Sequence, residues 1–534
     1  MLRIKAVAAL LAFSSFAAAA AQPAPPRLVV AISVDQLSAD VFEEYRPHFT
    51  GGLRRLSEGV LFPSGYQSHA ATETCPGHAT ILTGVRPGRA GIIANTWFDP
   101  AAARDDKGIY CAEDERVAGS STRDYTVSTY HLRVPALGDY MKRADPRSRV
   151  AVAAGKDRSA VMMGGFDVDQ RWWWSGKAFA GEGKPAAAAS AAAVNAVVAR
   201  ALAQPREPLT APPLCATRSR PVPLAGGGKP VGDHRFARSA GDSRAFRGSP
   251  ELDGATLALA AALRQEMRLG QGPAPDLLVI GLAATDYVGH TYGSGGGEMC
   301  LQLLSLDRDL GDFFARLDAS GVDYAVVMTA DHGGADIPER AGGARVDPQL
   351  LAKTMGAALG KRLGLAGPVL YGDGAFGDIY VDRALPAAQR ARVLSEAIAT
   401  YKAHPQVAAV FTAAELAAAP APSGSPETWP LLQRAKASFD PARSGDFVVL
   451  LKERVTPIAD TSGGYVATHG SPWDYDRRVP ILFWRKGMRP WEQTQAVETV
   501  DILPTLAPMV GVRLPAGSVD GRCLDIVEGP ATNC

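Results

Sequence analysis

The sequence predicts an α/β fold: a mostly parallel central sheet flanked by helices, a three-layer sandwich with insertions around one rim. Two observations carry this. Three apolar runs rich in β-branched residues lie far apart in the chain, Leu28–Val34, Leu277–Leu282 and Tyr324–Thr329, and runs without polar alternation read as strands buried on both faces. Each is followed within a few residues by a carboxylate, Asp35, Asp286 and Asp331, and in such sheets ligands bind beyond the carboxyl ends of the strands. Singly, each aspartate reads equally well as a cap of a helix or turn. Three together point to a site.

Composition bounds the rest. With 534 residues, 46% hydrophobic and 21% charged, the chain is ordinary globular material. Lys+Arg 56 against Asp+Glu 55 leaves no excess of the kind that holds nucleic acid, so none is expected as a stable partner. Met1–Ala21 carries a basic start (Arg3, Lys5), the apolar stretch Val7–Phe16 and small residues up to Ala21, the pattern of a secretory signal peptide cleaved near Ala21. No later run of about 20 apolar residues can span a bilayer. A periplasmic or secreted monomer without a membrane partner is expected. In that compartment the six cysteines pair, with Cys523–Cys534 and Cys111–Cys215 the first expectations. Residues 22–534 read as one domain, with insertions at about 99–130, 170–249 and 342–444 where Pro, Gly and irregular composition interrupt the pattern. The Ala-rich tract 185–202 predicts a helix.

Thr72-Glu73-Thr74-Cys75-Pro76-Gly77-His78 runs into the apolar Ala79–Thr83 and stops at Gly84. A hydroxyl residue just ahead of a proline marks a helix start. That position also lies on the positive end of the helix dipole, where unpaired amides favour an anion. Thr74 is therefore either a cap or a nucleophile that attacks phosphorus. Asp286 and His290, four apart, share one side of a helical turn. Asp331 and His332 follow the third strand directly, and His469 sits in the small-residue loop Ala467–Ser471. Mixed carboxylate and imidazole ligation suits zinc with open positions, and two such ions activate a hydroxyl and stabilise a leaving oxygen. An Asp-x3-His pair alone is a weak signal. Asp35, Thr74, Asp286, His290, Asp331, His332 and His469 as a set are a strong one.

In this order the motifs resemble the alkaline phosphatase superfamily over nearly the whole chain after the leader. A threonine nucleophile is common there to the phosphodiesterase/nucleotide pyrophosphatases and to the PafA-type periplasmic alkaline phosphatases. Two further stretches are similar to the second group. Asn95, in Gly91–Asp99, resembles the asparagine that hydrogen-bonds a phosphoryl oxygen, and Lys156 and Arg158, in Ala154–Ser159, resemble its Lys-x-Arg pair. A monoester dianion offers an extra charged oxygen for two cations to bind, where a diester has an alkyl group. Outside this framework the two cations would read as a solvated surface pair.

The resemblance implies an alkaline phosphatase-like fold and one Zn2+ on Asp286, His290 and His469. It places a second Zn2+ on Asp35, Asp331, His332 and the Thr74 oxygen. It also implies double displacement through a phosphothreonine: an exported alkaline phosphatase acting on small-molecule phosphate monoesters. The alternative on the same core is a phosphodiesterase or nucleotide pyrophosphatase. A different class, a metal-stabilised binding protein with a relic site, has no reason to keep seven metal positions. His78 is expected to pack behind the nucleophile rather than bind metal, and His48, His69, His131, His234 and His404 to be surface or satisfied core residues. Trp172–Trp174 are expected to pack an insertion. Cys75 lies in the wrong register for a sulfatase formylglycine.

Overall fold

The computed structural model describes residues 24–184, 186–527 and 532–534; the leader expected at 1–21 lies outside them. Eight strands of the central sheet are labelled in chain order: β1 Leu28–Val34, β2 Val60–Tyr66, β3 Val150–Ala154, β4 Gln170–Trp174, β5 Phe179–Gly183, β6 Asp276–Leu282, β7 Tyr324–Thr329 and β8 Arg478–Arg485. They lie in the order β2-β8-β7-β1-β6-β3-β4-β5, with short strands Trp491–Glu492 and Val497–Glu498 beside β2. The three apolar runs are the neighbours β7, β1 and β6, paired in parallel. β3 and β4 continue the parallel set, while β8 and β5 run antiparallel to their neighbours.

Every residue of β1, β6 and β7 is buried. Alternate side chains feed two cores: Val30, Ile32 and Val34 join one cluster with helices Pro250–Glu266 and Gly297–Ala319, and Val29 and Ala31 join the other with helices Thr74–Thr83, Leu137–Ala144 and Ile502–Met509. This is the expected three-layer sandwich. Register sets the site, because Ser33 pairs with both Gly281 and Thr329, so the three strands end level and Asp35, Asp286 and Asp331 emerge at one rim.

The insertions differ from expectation at their edges. Residues 170–183 belong to the central sheet as β4 and β5, because Trp172 and Trp174 face a core that already exists; Trp174 stacks on Phe246 at 5.2 Å. The tryptophans do pack. The Ala-rich tract forms helix Ala189–Leu202. The third insertion reaches past 444, since Phe447–Leu451 is an inner strand of a small antiparallel sheet with Leu370–Tyr371, Gly377–Val381 and Val407–Thr412. That sheet and helices Ala352–Leu363 and Ala387–Ala403 enclose a core of their own. No helix among the described residues is long and apolar enough to cross a membrane.

Cys523–Cys534 forms as expected, but Cys111–Cys215 does not: Cys111 pairs with Cys75 and Cys215 with Cys300. Cys111 ends a hairpin whose other strand, Thr96–Phe98, follows Asn95, and its amide donates to the Asn95 carbonyl, which sets it against the Thr74 helix. Cys215 instead lies on Pro213–Arg218, packed on Gly297–Ala319. The Cys215–Cys300 bond closes 85 residues. Replacing both by serine is expected to lower unfolding free energy by about 2–4 kcal/mol, read as a lower urea midpoint; an unchanged midpoint contradicts a stabilising role.

Candidate active site

The Thr74 helix approaches β7 so closely that a Cβ on Gly77 would stand 1.9 Å from the Asp331 carbonyl oxygen. Only glycine permits that contact. Thr74 is the first helical residue and Glu73, in extended backbone, precedes it with no side-chain cap bond, so the Thr74 hydroxyl is not engaged as a cap. It stands 3.5 Å from both Lys156 Nζ and Arg158 Nη2. Most amides of this helix start are taken or missing: the Cys75 amide donates to Asn95 Oδ1 at 2.8 Å, Pro76 has none, and the Gly77 amide donates to the Glu73 carbonyl, which leaves the amide of Thr74 itself. An anion at Thr74 is therefore met by side-chain cations and by Asn95, whose engaged Oδ1 leaves Nδ2 as a donor.

The imidazoles share one design. His78, His290, His332 and His469 each place Nδ1 2.8–2.9 Å from a backbone carbonyl, of Thr74, Ala467, Gly333 and Thr72 respectively. A carbonyl only accepts, so Nδ1 carries the proton and Nε2 presents a lone pair. Each Nε2 faces a carboxylate: His78 to Asp35 at 3.1 Å, His290 and His469 to Asp286 at 3.3 and 3.4 Å, and His332 to Asp331 at 3.2 Å. An Nε2 lone pair facing a buried carboxylate repels it unless a cation lies between them: a proton, which the carboxylates favour on His78 and His332 against the effect of burial, or a metal ion, which this donor chemistry fits. Asp35 Oδ1, Asp331 Oδ2 and the Nε2 atoms of His78 and His332 are buried and make no hydrogen bond.

Two donor groups converge, Asp286 with His332 and His469, and Asp35 with His78 and Asp331. The two groups contain five of the seven residues expected at the metals; His290 lies beside the first, its Nε2 3.3 Å from Asp286, and Thr74 is in neither. His332 touches both groups, and His78, expected only to pack behind Thr74, instead stands among the donors of the second group, 3.1 Å from both Asp35 and Asp331. His290 sits at the mouth, stacked on Tyr465 at 4.8 Å. Of the remaining histidines, His69 and His131 are buried, the latter 2.9 Å from Glu115, and His48 is exposed.

Charge is dense. Burial opposes ionisation of Asp286 and Asp331, yet His290 and Lys156 beside the first, and His332 and His78 beside the second, hold both well below the usual carboxylate range. Lys156 lies 2.7 Å from Asp35 and 2.6 Å from Asp286; burial opposes its charge, but the two carboxylates outweigh it and raise its pKa. Burial lowers His469 to about 3, helped by His332, which keeps its ring neutral.

Several supporting residues carry no motif. Gln36, with φ at +65°, donates its backbone N–H to Asp331 Oδ1 at 3.1 Å, so only Oδ2 of that carboxylate is open. With its amide turned toward the Asp286 helix, its side-chain nitrogen donates to Asp286 Oδ1 at 3.2 Å. Glu73 accepts from the Asn95 amide at 2.7 Å, and burial pushes its carboxyl up to about 7. Asp253 holds helix Ala284–Tyr292 by accepting from the Ala284 amide. Tyr110 accepts from Arg158 and donates to Asp157. The one available signal, adjacency to motif residues, covers Gln36 and Glu73 but neither Asp253 nor Tyr110.

The arrangement is that of the alkaline phosphatase superfamily, as the motifs implied. Within it, the chain belongs to the type I phosphodiesterase / nucleotide pyrophosphatase family, which it matches over residues 29–472. It is 55% identical to alkaline phosphatase PhoK of a Sphingomonas species over 96% of this chain and 93% of that one. It is 48% identical to alkaline phosphatase PhoD of Zymomonas mobilis, over 95% and 89%. The crystal structure of alkaline phosphatase PafA superposes with a TM-score of 0.81 at 25% identity, covering 95% of this chain and 99% of that one.

Gln36→Leu removes the amide facing Asp286 and is expected to weaken metal binding roughly 10–100-fold, measured by competition with a chelator. Affinity equal to the unmodified protein contradicts the positioning role.

Proposed function

We propose that the chain is an exported, zinc-dependent alkaline phosphatase that hydrolyses small-molecule phosphate monoesters through a phosphothreonine on Thr74. One observation carries the reading: Lys156 and Arg158 both stand 3.5 Å from the Thr74 hydroxyl. A phosphate monoester is dianionic above its second pKa of about 6, and two cations at the nucleophile match that dianion, whereas a diester leaves one of them without charge to meet. Relatives named alkaline phosphatase at 55% and 48% identity support the activity.

Zinc fits the donors. Asp286, His290 and His469 would hold one ion, and Asp35, Asp331, His332 and Thr74 Oγ1 the other, all of them nitrogen or single-oxygen ligands that zinc accepts. Bound there, zinc would neutralise phosphoryl charge and favour the Thr74 alkoxide. Thr74 Oγ1 forms a bond to phosphorus as the bond to the leaving oxygen breaks. Lys156, Arg158 and Asn95 Nδ2 hold the non-bridging oxygens throughout. Water then cleaves the phosphothreonine, releasing orthophosphate and restoring the hydroxyl. Lys156 stays charged because Asp35 and Asp286 face it, and Arg158 is aimed by Tyr110.

The second reading, a phosphodiesterase, draws on the description of the family. Hydrolysis of p-nitrophenyl phosphate against bis-p-nitrophenyl phosphate separates the two. The phosphatase reading expects monoester preference, with Lys156→Ala/Arg158→Ala lowering monoester kcat/KM by roughly 10²–10³-fold or more. Diester preference, or indifference of the variant, favours the phosphodiesterase. Chelation is expected to abolish turnover and zinc to restore it; turnover that survives complete metal removal contradicts the zinc assignment.

A further inference from the structure

Beside the cluster of Asp286 and His290 stands a wall built by two segments distant in sequence. Helix Ser243–Arg247 is joined to the loop bearing Tyr465 by Arg244, whose Nη2 donates to the Gly463 carbonyl at 2.9 Å. Tyr465 in turn stacks on His290. From this wall Arg247 extends over Tyr287, its Cζ 4.4 Å from the ring centroid. Lys156 Nζ lies 5.1 Å from that same centroid. One phenol ring thus separates Arg247 from a cation at the nucleophile.

Arg247 differs from the engaged cations around it in having no protein acceptor at all among the described residues. Arg206 and Arg238 in the same insertion both pair with Glu251, Arg158 is held by Tyr110, and Lys156 by two aspartates. The Arg247 guanidinium makes no hydrogen bond or ion pair with any described residue, although its Nε is buried. A planar guanidinium fork without a protein acceptor suits a phosphate oxygen delivered by a ligand.

We infer that Arg247 is a specificity-determining residue that binds a second phosphoryl group carried by the leaving group. The favoured substrates are then condensed phosphates such as nucleoside polyphosphates, in which the two phosphoryl groups are one bridging oxygen apart. This rests on the reading of Thr74 as nucleophile for monoester phosphate. The reaction is the same displacement, with the terminal phosphoryl transferred to Thr74 and the shortened polyphosphate leaving.

The test compares kcat/KM of the zinc-loaded enzyme for adenosine triphosphate and adenosine monophosphate, which share base and ribose and differ in leaving-group charge. Arg247→Gln retains length over Tyr287 and removes the charge. The ratio of triphosphate to monophosphate is expected to fall by about tenfold or more, with Arg247→Lys keeping part of it. Both substrates are measured on one preparation, so any loss of folded protein cancels. A ratio unchanged in Arg247→Gln overturns the subsite while leaving the phosphatase reading intact. An unmodified enzyme that cleaves neither nucleotide nor p-nitrophenyl phosphate overturns the phosphatase reading and this inference with it.

Discussion

Three aspartates buried within one small volume impose the constraint to which the rest of the site responds. Like charges about 4 Å apart repel by about 4 kcal/mol at the effective dielectric of a partly buried site, and Asp35, Asp286 and Asp331 are all shielded from water. The fold creates the problem because β1, β6 and β7 are adjacent and end level. It answers with Lys156 between two of them, amide donors from Gln36 and His332 on the third, and four imidazoles turned so that lone pairs point inward. Such a cluster is stabilised by any cation that enters it, and binding of a metal there would couple to folding.

The surrounding loops are fastened to one another rather than left to solvent. Thr72 donates to the Ser471 carbonyl and accepts from His469, tying the start of the Thr74 helix to the histidine loop. Asp476 takes the Ser471 amide on its side chain and the Gly333 amide on its carbonyl, joining that loop to β7. The Cys75–Cys111 bond fixes the segment bearing Asn95 and Tyr110 against the same helix. Each tie keeps a donor within the few tenths of an ångström that ligation and phosphoryl positioning demand.

Much of this was legible in the sequence because it depends on local pattern. Doubly buried strands read as apolar runs, and the carboxylates that follow them inherit a common rim. Asp286 and His290 announce their helix by spacing. What was not legible depends on distance between remote segments. Cys215 finds Cys300 rather than Cys111 because a helix packs across the layer. Residues 170–183 join the sheet edge because a core already covers their tryptophans. The Cys75 and Gly77 amides are taken by Asn95 and Glu73, which local helix logic does not reveal. Gln36, Asp253 and Tyr110 act by holding other side chains, and a residue that acts through another leaves no spacing of its own.

The central claim is that Thr74 Oγ1 receives the phosphoryl group. Rapid acid quenching of the enzyme during monoester turnover, followed by peptide mass spectrometry, tests it directly. The account predicts phosphate on Thr74, absent from Thr74→Ala, whose turnover is lost. Phosphate on another residue, or a Thr74→Ala enzyme that still turns over, would contradict it.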